Sequence, residues 1–127
     1  MSHFTKIKTK LYEKATIEKS LTDLNINWEP GAQSIRGYKN QEHSAEIVIR
    51  QDNSHDIGFK WNGTEYELVT DLMFWDQKFS VNKFLNQVNQ RYAFNLITKV
   101  SEEQRFEYVE AKNQQDGSIR LLLRKFK

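Results

Sequence analysis

Three histidines, His3, His43 and His55, are the only imidazoles in the chain, and cysteine is absent. Their separations match neither the i, i+4 spacing of a helical metal site nor the short loop spacing of a zinc ligand pair, so no metal site is expected. The adjacent carboxylates Glu102 and Glu103, and Glu65 with Glu67, are the next candidates. Acid–base work needs one member of such a pair desolvated so that its pKa rises. Both pairs have basic neighbours and read as solvated surface. The five glycines are scattered at turns rather than gathered into a phosphate cradle, and no nucleophile elbow occurs. Without cysteine, disulfides, thiol catalysis and a thiolate-held iron–sulfur cluster are excluded. No catalytic residue and no cofactor is assigned, and a non-enzymatic role is expected.

What remains is a surplus of rings, since aromatic residues make up 13% of the chain. Rings on a sheet beside basic residues can stack the bases of single-stranded RNA. Lys6, Lys8, Lys10, Lys60, Arg120 and Arg124 are candidates for such a track, but Glu46, Glu65, Glu67 and Glu110 interrupt it. The formal net charge of +2 is too small to imply nucleic acid or an acidic membrane. A protein contact is the stronger expectation. In "DLMFWDQKF", Met73, Phe74 and Trp75 are consecutive, and no regular element turns three successive side chains to one face. Two readings stand open: one or two of them stay exposed as an interaction patch, or, the reading that weighs slightly more, the loop aromatics fold back over an open edge of the core. Asn89 and Arg91 are candidate structural clamps on that loop's carbonyls.

Several elements must position these residues. Phe4 to Leu11 alternates as a strand with lysines on its wet face. Ile17, Leu21 and Leu24 give a helix over Glu13 to Leu24. Pro30-Gly31 reads as a turn, Ser34 to Tyr38 as a short strand, and Ala45 to Arg50 as a firmer one. Asn62-Gly63 suits a two-residue type I′ turn. It would pair Trp61 with Thr64, Phe59 with Tyr66 and Ile57 with Leu68, gathering Ile57, Phe59, Trp61, Tyr66 and Leu68 on one face. Asp71 to Phe79 reads as a loop, and Ser80 as the N-cap of a long helix to about Glu103. The apolar stripe of that helix is Val81, Phe84, Leu85, Val88, Tyr92, Leu96 and Val100. Strands Arg105–Lys112 and Ser118–Phe126 close the order. A three-residue loop, Gln115-Asp116-Gly117, sets Val109 against Leu123 and Ala111 against Leu121.

The order β-α-β-β-β-β-α-β-β argues an α+β fold, an antiparallel sheet of about five to seven strands with two helices mainly on one face. The 127 residues suit one domain able to bury a core without staples. No apolar run is long enough to span a bilayer, and "MSHFTKIKTK" has neither a signal-peptide h-region nor transit-peptide character.

Four segments in order, "MSHFTKIKT", "DIGFKWNGTEYELVTD", "VNQRYAFN" and "DGSIRLLLRKF", resemble the hypothetical chloroplast open reading frame thirty-five family, a domain-of-unknown-function family of plastids and cyanobacteria. The resemblance spans essentially the whole chain. It implies residence in the chloroplast stroma, or in the cytoplasm of a cyanobacterium, and brings no catalytic or cofactor-binding residue with it. The expectation is thus a non-catalytic protein-binding or assembly factor. An RNA-binding module, and a small-ligand carrier or enzyme of unknown class, are the alternatives.

Overall fold

Alternation in the first strand sets the architecture. In β1 (Phe4–Leu11), Ile7 and Leu11 meet the core while Lys6 and Lys8 stay outside. The computed structural model describes residues 4–36, 43–103, 106–113 and 119–125. After β1 come α1 (Lys14–Asp23), β2 (Glu29–Ile35), β3 (His43–Ile49), β4 (Ile57–Trp61) and β5 (Tyr66–Asp71). A single 3-10 turn, Leu72–Phe74, leads to α2 (Val81–Glu103), β6 (Phe106–Asn113) and β7 (Ile119–Lys125). This is the α+β order expected from the sequence.

The strands form a five-stranded sheet in the order β1-β5-β4-β3-β2, each neighbour antiparallel, and β6 and β7 form a separate hairpin. β1 and β2 therefore occupy opposite edges, roughly 19 Å apart at four strand spacings. The ten residues of α1 cover about 15 Å of that crossing, and the segment from Leu24 to Trp28 completes it. Asn25, at φ 60°, ends the helix. Its N–H reaches Thr22 O (3.0 Å) and the next N–H, of Ile26, reaches Leu21 O (2.9 Å), a left-handed C-terminal cap.

Both helices pack on one face of the sheet. Ile17 and Leu21 from α1, and Phe84, Leu85, Val88 and Tyr92 from α2, join Ile47, Ile49, Ile57, Phe59 and Leu68 in one core. Each such side chain, fully buried, contributes roughly 1.5–3 kcal/mol. On the other face Val48, Gly58 and Val69 stand in register, and Ile35 and Ala45 press onto Gly58. A methyl group there would meet Ile35 Cδ1 and lie 2.7 Å from Ala45 Cβ.

Several expectations need correction. β2 begins at Glu29 and takes in Pro30 and Gly31, where a turn was expected. It is an edge strand whose register shifts between Pro30 and Gln33, which is where a sheet tolerates proline. Residues 37 and 38 of the expected strand lie outside the described residues. The β4–β5 hairpin pairs Trp61 with Tyr66, Phe59 with Leu68 and Gly58 with Val69, two residues away from the two-residue turn. The reason is Asn62. Its Oδ1 accepts from Thr64 N and Glu65 N, both at 2.9 Å, closing a four-residue loop instead. An even shift keeps each side chain on its face, so Ile57, Phe59, Tyr66 and Leu68 still enter the core. Trp61 stays 39% exposed.

In α2, Phe84, Leu85, Val88 and Tyr92 are buried as expected, but Val100 is 42% exposed, and Asn95 and Ser101 are buried instead. The stripe turns towards α1, where polar groups meet. The last hairpin sets Ala111 against Leu121, as expected, but Tyr108 against Leu123, because the register shifts between Tyr108 and Glu110. The expected loop at Gln115–Gly117 lies outside the described residues.

Candidate protein-contact site

The segment with consecutive apolar side chains is held by two buried polar residues that follow β3. Asp56, its side chain fully buried, accepts Arg36 Nε and Nη2 (both 2.9 Å), Arg36 N (2.9 Å) and Arg50 Nη1 (2.6 Å). Arg50 Nε also reaches Glu29 Oε2 at 2.8 Å. Burial pushes the Asp56 carboxyl up, but the two guanidinium groups and the Arg36 amide outweigh that and hold it below the usual carboxylate range. This network ties the ends of β2 and β3 to the start of β4.

Gln51 carries the constraint onward. Its Nε2 donates to His55 O and to Phe74 O (3.0 Å), and its Oε1 accepts Asp76 N (2.8 Å) and Gln77 Nε2 (2.9 Å). That fills the hydrogen-bonding capacity of one amide. Asn53 Nδ2 adds a second bond to Phe74 O at 2.8 Å, and Asp71 Oδ1 accepts Met73 N at 3.1 Å. The turn backbone is therefore fixed at Met73, Phe74 and Asp76.

The three sequence-predicted residues go three ways. Met73 is 68% exposed, as the preceding Leu72 is at 48%. Phe74 stacks on the His55 imidazole, centroids 3.8 Å apart and planes at 14°. Trp75 sets its edge on Phe84 at 5.1 Å and donates through Nε1 to Phe79 O at 2.7 Å. Of the two candidate clamps, Arg91 bonds Asp23 on α1 (2.9 Å) rather than the loop, and Asn89 is exposed on α2. Asn95 joins Arg91 there, donating to Ser20 Oγ and Asp23 Oδ2, both at 3.0 Å. Sequence reasoning missed Leu72, Gln51, Asn53 and Asp56. A glutamine or aspartate in the polar stretch "RQDNSHD" carries no periodic signal of burial.

Other surfaces are poorer candidates for binding chemistry. On the open face of the sheet Lys8 and Lys60 flank Glu67 in register, so the basic track is broken, and Arg120 and Arg124 belong to β7 in the other sheet. An open groove of about 450 Å³ runs between α1 and α2 past Thr16, Arg91, Phe94 and Lys99. Most of its charges already pair, Lys99 with Glu13 at 2.7 Å and Arg91 and Lys19 with Asp23. Among the described residues no three His, Asp or Glu side chains are placed to share a metal ion, and no helix is long and apolar enough to cross a membrane.

The class is thus an α+β protein with a five-stranded antiparallel sheet, two helices on one face, and an anchored apolar turn at the end of β5. A family model described as "Protein of unknown function (DUF1257)" matches residues 20–122. The chain belongs to this family, that of the hypothetical chloroplast open reading frame thirty-five. It is 46% identical over 127 residues to "Uncharacterized protein ycf35" of Guillardia theta, covering 100% of this chain and 99% of the relative. Proteins of the same description in Pyropia yezoensis and Cyanophora paradoxa are 39% and 38% identical, each covering at least 98% of both chains. No solved structure matches.

Proposed function

We propose that the protein is a non-catalytic binding factor, acting in assembly or maturation in the chloroplast stroma, and that Leu72 and Met73 are the anchors it offers to a partner protein. The observation that carries this reading is the exposure of two large apolar side chains, 48% and 68%, on a turn whose backbone is bonded at Met73, Phe74 and Asp76. Exposed apolar side chains on a mobile loop lose ordering entropy on binding; on a fixed turn that cost is already met. Methionine adapts its shape to an apolar pocket and is common at protein-binding surfaces. Asp52 and Ser54, which flank the Asn53 that bonds Phe74 O, and Asp76 are exposed, as suits the polar rim that accompanies an apolar centre. The partner this surface fits presents an apolar pocket, not a charged groove.

The test is capture from a chloroplast extract, with a photo-reactive side chain at position 73 and, as control, at Asn86 on the outside of α2. The expected result is one protein crosslinked from position 73 only, whose affinity in purified form falls at least about tenfold with Met73→Asp. Unchanged affinity in Met73→Asp, with the variant folded, would overturn the assignment.

A further inference from the structure

At the opposite end of β5 from the Leu72–Met73 turn, the β4–β5 hairpin closes beside half-buried carboxylates. Trp61 is 39% exposed and meets Tyr66 edge-on, centroids 5.1 Å apart. Glu46 Oε2 accepts Trp61 N at 2.9 Å. Tyr66 is only 7% exposed, yet its hydroxyl has no hydrogen-bond partner among the described residues. Burial, and then the charges of Glu46 and Glu18, push that hydroxyl above its ordinary value.

The charges here are unbalanced. Among the described residues, Glu18, Glu46 and Glu65 have no ion-pair partner. All three are half-buried, and Glu65 Oε1 is buried with no hydrogen-bond partner at all. Of the other half-buried acids, Glu13 pairs with Lys99, Asp23 with Arg91 and Lys19, and Glu29 with Arg50, while Glu67 stands in register between Lys8 and Lys60. A partly desolvated carboxylate without a cation is costly, as is a buried oxygen without a donor. A cation from outside would relieve the first of these costs, and an exposed indole is the best aromatic surface for one.

We infer that the Trp61–Tyr66 corner is a binding site for a cationic side chain, an arginine or lysine of a partner polypeptide, seated over the Trp61 indole and beside the Glu46 carboxylate. The guanidinium or ammonium donates to that carboxylate and to Tyr66 Oη, which accepts. This contact is separate from the one at Met73.

A short peptide of alternating arginine and glycine tests the inference, with the same peptide carrying neutral citrulline as its control. Binding is followed by nuclear magnetic resonance at the Trp61 indole and the backbone amides of Glu65 and Tyr66. The arginine peptide is expected to give saturable shifts there, weakened by added salt, while the citrulline peptide gives none. Glu46→Gln retains an acceptor for Trp61 N and removes the charge, and Tyr66→Phe removes only the hydroxyl. Glu46→Gln and Trp61→Ala should each raise Kd by about tenfold, Tyr66→Phe by less, and Met73→Asp should leave it unchanged. Absence of saturable shifts, equal response to the citrulline peptide, or an unaltered Kd in folded Glu46→Gln and Trp61→Ala would each overturn the site.

Discussion

Two core positions carry opposite lessons about what a single atom does. Thr70 is 1% exposed and its Oγ1 is buried without a hydrogen-bond partner. Valine has the same shape without the hydroxyl, and it suits a strand. Thr70→Val should therefore raise stability by about 0.5–2 kcal/mol, read as a later midpoint in urea with an unchanged slope. Gly58 is the reverse case. Ile35 Cδ1 is the free end of a side chain and can move aside, but Ala45 Cβ, 2.7 Å from the position of an added methyl, is fixed to the backbone of β3. Gly58→Ala should cost about 1–3 kcal/mol through overpacking, more than the roughly 0.4–1 kcal/mol that a less flexible unfolded chain returns. The measured midpoint should fall.

Elements follow from local pattern where one force dominates and depart from it where a remote partner decides. β1 was readable because its lysines stay outside and alternate with inward residues even across the register shift between Lys8 and Leu11, and α2 because Ser80 caps it, accepting Lys83 N at 3.3 Å. The β4–β5 loop was misread because the Asn62 side chain competes with the backbone turn that Asn-Gly ordinarily makes. Every face survived, since the error was an even number of residues. The start of α1 was beyond sequence reasoning. Glu13, its N-cap, makes no side-chain cap bond; instead Tyr92 Oη on α2 accepts Tyr12 N at 3.3 Å and Glu13 N at 3.1 Å. A cap supplied from about eighty positions away leaves no local signature. Tyr92→Phe keeps the ring in the core and removes only this acceptor, so it should lower stability by about 1–2 kcal/mol, with the earliest loss of amide-exchange protection at the first turn of α1. The candidate contact was half readable for the same reason. Three consecutive apolar residues showed that no regular element could bury them all on one face, but whether any stays exposed, and which, depends on His55 and Gln51, contributed by another connection.

At the scale of the whole molecule, the buried carboxylates govern the response to acid. Asp56 and Asp23 are both pushed up by burial and held down further by their arginines, so both titrate below the usual range. A carboxyl whose pKa is lower in the folded than in the unfolded chain contributes stability that is complete above about pH 4. That contribution is lost as pH falls through the folded value. Asp56→Asn should cost about 2–4 kcal/mol near neutral pH, because Arg36 and Arg50 lose a common partner. The gap between variant and wild type should narrow by pH 3, as chemical unfolding at the two pH values would record. The sheet order has a consequence in time rather than in energy. β1 bonds to β5, and Thr9 meets the carbonyl of Tyr66, 57 positions later. The first strand of the chain must therefore wait for the last strand of the sheet, while β2 through β5 can zip together as neighbours. Lys6, Lys8 and Lys10 keep the waiting strand in water and deny its bare edge to other chains until β5 arrives.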